Sequence, residues 1–145
     1  MNSEEAQEVL PNLFYYSKID HRNNAPKKSQ WIIEKFEELR CFEYSIECCW
    51  NQVKYTSWGL YIPNGQVKYL GESAKNESTS YQLFIAKFVD SNKNNYWHGY
   101  PANPSSGKKQ DIPPEFVLKD WQVKNHLRLT TIRKITKGQK CKLPL

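Results

Sequence analysis

The chain has 145 residues, a net charge of +6 and a 14% aromatic share, which suits one globular domain and argues against disorder. No apolar run approaches the roughly 20 residues that span a bilayer, and the start, Met1 to Glu5, is polar and acidic rather than leader-like. The expectation is therefore a soluble, cytoplasmic protein in a reducing compartment.

The first element expected is a short helix capped by Ser3 and ending before Pro11. Residues 11–28 read as irregular, with a loop at Asn23, Asn24 and Pro26. A second helix is expected from Ser29, its N-cap, with Trp31, Ile32, Phe36 and Leu39 on one stripe and glutamates on the other. From Phe42 to Trp50 apolar and polar residues alternate (Phe42, Tyr44, Ile46 against Glu43, Ser45, Glu47), which predicts a half-buried strand. Cys48 and Cys49 would then face opposite sides of it.

Asn64-Gly65, between apolar runs, predicts a hairpin pairing 57–63 with 66–70. A polar loop follows over 71–80. Residues 82–89 read as a strand, 90–95 as a turn and 96–100 as its returning partner. After a Pro-, Asn- and Ser-rich loop, Asp111 precedes Pro113-Pro114, the signature of a capped helix with Phe116, Val117, Trp121 and Val123 on its stripe. Thr130 or Thr131 would cap a last helix, with Ile132 and Ile135 inward and Gly138 as its stop. Two short helices with a tight link share the outline of a helix-turn-helix with any helical hairpin.

These elements amount to one α+β domain over residues 1–145. An antiparallel sheet of about five strands is packed by an N-terminal helix within 1–110, and a basic helical subregion occupies 111–145.

Several enzyme classes lack their signatures. There is no Walker loop, no dinucleotide fingerprint and no G-x-S-x-G elbow. Cys41, Cys48, Cys49 and Cys141 include no C-x-x-C pair, and Glu43 and Glu47 lack the setting of a metal-nuclease site. No cofactor and no metal are expected.

Charge distribution is more informative. Residues 1–50 hold six Lys/Arg against nine Asp/Glu, whereas 101–145 hold ten against three. From Lys124 onward come seven cations and no carboxylate: Lys124, Arg128, Arg133, Lys134, Lys137, Lys140 and Lys142. Clustered cations suit a polyanion, because each phosphate neutralised releases counterions. The bland counterpart is a solvated helix face with a charged tail.

Aromatics concentrate at Tyr96-Trp97-His98-Gly99-Tyr100-Pro101. Such a strand can stack unpaired bases, and Gly99 would admit a close backbone approach to a ligand; it can equally supply the sheet's own packing. The leading expectation is thus a binder of RNA or single-stranded DNA. Arg128, Arg133, Lys134, Lys137 and Lys140 would meet phosphates, and Trp97 and Tyr100, with His98, would stack. One alternative is a toxin-like, metal-independent ribonuclease with His98 as acid or base, paired with His21 or His126. A second is an immunity or inhibitor module that meets a basic protein through the acidic helix bearing Glu34, Glu37 and Glu38.

Overall fold

The computed structural model describes residues 5–75 and 80–143. Eight strands and three α-helices follow in order: β1 (Gln7–Leu10), β2 (Leu13–Tyr15), β3 (Gln30–Trp31), α1 (Lys35–Glu47), β4 (Thr56–Leu60), β5 (Gly71–Glu72), β6 (Gln82–Leu83), β7 (Ile85–Val89), β8 (Tyr96–Ala102), α2 (Glu115–Val123) and α3 (Leu129–Thr136). The α+β class expected from the sequence is the one observed. No helix among the described residues is long and apolar enough to cross a membrane.

The principal sheet has the order β1-β2-β8-β7-β4, and β3-β5-β6 form a smaller one. The larger sheet is mixed rather than purely antiparallel, since β2 runs parallel to β8, pairing Phe14 with Tyr96 and Tyr15 with Trp97. This parallel pair arises because the N-terminal segment is a hairpin and not the expected helix. Residues 7–10 form β1 and turn through Asn12, whose φ is +64°. The proposed cap, Ser3, lies outside the described residues.

Helix α1 begins later and ends later than its stripe suggested. Ser29 is no cap: Gln30 and Trp31 belong to β3. Glu34 is the N-cap, in a reciprocal capping box with Glu37. The helix then runs through the stretch expected as a strand. Glu38, Cys41, Phe42 and Ser45 are its buried residues, an i, i+3, i+4, i+7 set that satisfies the helical period over the same letters that alternate. Nothing in 35–47 breaks the helix, so Glu43 and Glu47 lie on it.

All three helices stop in the same way. Cys49, Asn125 and Gly138 adopt left-handed conformations (φ +61°, +62° and +68°). The following amide in each case bonds back to the carbonyl of Ser45, Trp121 or Lys134, the double closure of a Schellman motif. Gly138 is the stop the sequence indicated. The starts differ from expectation: α2 is capped by Pro114 and α3 by Arg128, neither through a side chain.

The Asn64-Gly65 turn is present, with φ +79° at Gly65, but only Tyr61 and Lys68 bridge across it. Beyond that bridge, Leu70 bonds to Ile32 and Leu83 in the small sheet. The 82–89 run divides at Phe84: β6 joins the small sheet and β7 the large one. The expected 71–80 loop likewise begins with β5.

Alternation assigns the two faces of the large sheet. Ala86, Phe88 and Trp97 pack with Phe42 and Cys41 of α1 in one core. Trp58, Leu60, Ile85 and Ala102 pack on the other face with Val117, Leu118 and Trp121 of α2 and Ile132 and Ile135 of α3. Helices therefore cover both faces. On the second face, α2 and α3 take the Ala102 end of β8, and the His98–Tyr100 end is met by the 16–29 segment.

A lysine-rimmed cleft as candidate functional site

The structure separates the aromatics of β8. Trp97 is 7% exposed and lies on the α1 face, 5.5 Å from the Phe42 ring. It has no surface on which to stack a base. Gly99 accommodates not a ligand but the ring of Phe88, its cross-strand partner: a Cβ there would sit 2.3 Å from that ring. His98 and Tyr100 point to the opposite face.

His98 is 8% exposed. Tyr16 meets it edge-on at 5.2 Å, and Ser91 Oγ lies 3.3 Å from Nε2. Burial, reinforced by Lys18 and His21, pushes its pKa down to about 4. It is therefore uncharged at physiological pH and holds no imidazolium proton to give as a general acid, while one bare ring nitrogen keeps the capacity to accept a proton. His126 lies against Trp50, 6.2 Å away between ring centres.

A second group of residues gathers next to His98 on the same face of β8, two residues further along the strand at Tyr100. His21, at the end of a 3-10 turn (Ile19–His21), stacks on Tyr100 at 5.4 Å. Its Nδ1 lies 2.8 Å from the Ser29 carbonyl, and burial holds its pKa below the usual imidazole value. The Tyr100 hydroxyl donates to Asp111 at 3.0 Å. Burial, with Asp111 alongside, pushes the Tyr100 pKa far up. The other Asp111 oxygen accepts from the Asn103 amide. His21, Tyr100 and Asp111 line a cleft of about 310 Å³ with Lys27, Lys28 and Lys108. All three lysines are exposed.

Two residues that sequence reading missed build this cleft. Gln30 is 8% exposed. Its side-chain amide donates to the carbonyls of Asp20 and Lys28 while its oxygen accepts from the Asn24 amide, so one side chain closes the loop that carries His21, Lys27 and Lys28. Asp111, expected to cap α2, instead ties the 103–111 loop to β8. The only foretaste in the sequence was that the stretch 97–101 and the stretch 111–114 both stand out; the structure joins them through Tyr100 and Asp111.

The basic C-terminal residues divide into two groups. Arg133, Lys134 and Lys137 are exposed on α3 and just beyond it. Lys140 Nζ lies 4.2 Å over the Tyr81 ring. Tyr81 accepts from Asn103 at 2.7 Å and contacts Ser105, and Asn103 also lines the cleft. The 103–106 turn thus stands between the cleft and the end of α3. Arg128 lies at the other end of α3, about 12 Å away by helical rise. Lys124 is committed to Asp120 at 3.0 Å.

The acidic residues of the 31–40 region are largely engaged. Glu38 is fully buried and accepts from Tyr15, Ser17 and Arg22. Glu37 accepts from Tyr61, and Glu43 pairs with Arg40.

No known protein family, characterised protein or solved structure matches this chain.

Proposed function

We propose that the protein binds a flexible polyanion, RNA or single-stranded DNA, across the cleft of Lys27, Lys28 and Lys108 and onward to Lys140, Lys137, Lys134 and Arg133. One observation carries the reading: the three ion pairs among the described residues are Arg22–Glu38, Arg40–Glu43 and Lys124–Asp120, so none of these seven cations is neutralised. Unpaired cations along a continuous surface attract a chain of phosphates, and the gain comes from counterion release. A flexible single strand suits a path that bends from a cleft around a turn onto a helix end. Phosphate contact, rather than base stacking, carries the affinity, because Trp97 is buried and Tyr100 is already stacked on His21.

The test is fluorescence anisotropy with a labelled 12-nucleotide RNA between 50 and 400 mM salt. Binding should weaken along a straight line in log Kd against log salt, losing about 0.7 in slope for each phosphate contact removed. Replacing Lys27, Lys28 and Lys108 together by Ala should flatten the line by about two units. Affinity that ignores salt, or that survives both this triple change and Arg133→Ala/Lys134→Ala/Lys137→Ala, would sink the reading.

A further inference from the structure

Resting on that polyanion reading, we infer that the cleft selects ribose over deoxyribose, with His21 Nε2 accepting a hydrogen bond from a 2′-hydroxyl. The side chains around the cleft are unequal in kind. Lys27, Lys28 and Lys108 only donate hydrogen bonds. Asp111 is spoken for by Tyr100 and Asn103. His21 is different. Its Nδ1 faces a carbonyl oxygen at 2.8 Å, and a carbonyl can only accept. The proton must therefore sit on Nδ1, which leaves a bare lone pair on Nε2.

That nitrogen has no hydrogen-bond partner among the described residues, and it is not one of the buried unpartnered polar atoms. His21 itself is 9% exposed and lines the cleft. The ring has little freedom to turn away, being held by Ser29 on one edge and by Tyr100 across its face.

A phosphodiester at neutral pH has acceptors and no donor. It satisfies the lysines and leaves Nε2 bare, which costs free energy once the ligand displaces water from that atom. A ligand that also carries a hydroxyl beside its phosphates satisfies both. In a nucleic acid strand that hydroxyl is the ribose 2′-OH, the group by which proteins tell RNA from DNA.

The experiment compares three oligonucleotides of one sequence by anisotropy at fixed salt: RNA, DNA and 2′-fluoro RNA. The fluoro strand keeps a ribose-like sugar pucker but has no proton to donate. RNA should bind about tenfold more tightly than either of the others, the yield of one hydrogen bond. His21→Phe retains a ring against Tyr100 and should bring all three strands to one common affinity, the advantage of RNA being lost. Equal binding of the three strands by the unaltered protein, with steep salt dependence, overturns the ribose inference and leaves polyanion binding standing. A preference for RNA over the fluoro strand that persists in His21→Phe removes His21 from the assignment. Failure of every strand to bind overturns both readings.

Discussion

His98 illustrates how a residue's surroundings decide its chemistry. On sequence it is one of three histidines and the one set among aromatics. In the structure it is enclosed by Tyr16, Ser91 and the sheet, and its pKa is pushed down to about 4 from 6.5. Lys18 and His21 reinforce the burial, and Asp90 opposes it weakly. The unfolded chain takes up the proton near pH 6.5, while the folded chain refuses it until about pH 4. Stability is therefore complete above pH 6.5 and falls as pH drops through that window, by about 2 kcal/mol between pH 7 and pH 5 from this residue. Urea unfolding at the two pH values should show the loss, and His98→Gln should reduce it. A variant with an undiminished pH dependence would show that the linkage lies elsewhere. The same contrast separates His21 from His98: both are held neutral, but only His21 lines the cleft. That distinction was invisible in the sequence, because it depends on which face of β8 the 16–29 segment covers.

Among the elements, α3 is where a residue goes against the local helix preference. Its N-cap is Arg128, with no side-chain cap. A cation there opposes the positive end of the helix dipole, and no side chain caps the first amides. Arg133 and Lys134 sit in the last turn, where the dipole favours them. Helix stability accounts for those two cations but not for Arg128. Arg128→Ser should therefore stabilise the fold by about 0.5–1 kcal/mol, read from the thermal midpoint, and leave the salt dependence of RNA binding unchanged, since Arg128 lies off the proposed path. Destabilisation would show that Arg128 is held by contacts within the fold. Legibility also varied by element. The 90–95 turn, β8 and the inward residues of α3 follow from turn chemistry and period, and all are present. The 42–50 stretch does not, since its alternating residues also contain a 38/41/42/45 helical set. The choice rests on which set finds an apolar partner, and Phe42 finds Phe88 and Trp97.

At the scale of the whole molecule, the basic C-terminal helices are not an appendage. Ile135, Val117 and Trp121 are fully buried in the same core as Ile85 and Ala102 of the sheet. The Trp50 indole donates to Asp120 at 2.7 Å and meets Trp121 at 5.6 Å. We expect Ile135→Ala to cost about 2–5 kcal/mol and to lower the stability of the entire chain in one transition. Coincident midpoints by tryptophan fluorescence and far-UV circular dichroism would support this. Two separated transitions would mean that residues 111–145 unfold independently. The sequence by itself determined the α+β class, the surplus of cations after residue 101, the apolar stripe of α3 and its glycine stop, because each follows from composition or from neighbours within a few residues. Only the tertiary structure decided where β8 sends Trp97 and Tyr100, and that Gln30 and Asp111 shape a cleft. It alone set the lysines at 27, 28 and 108 around one histidine. Gln30 and Asp111 act through bonds within about a dozen residues, but the cleft itself closes through contacts between segments 72 residues apart or more, such as Ser29 with Pro101 and His21 with Tyr100, and no local pattern encodes those.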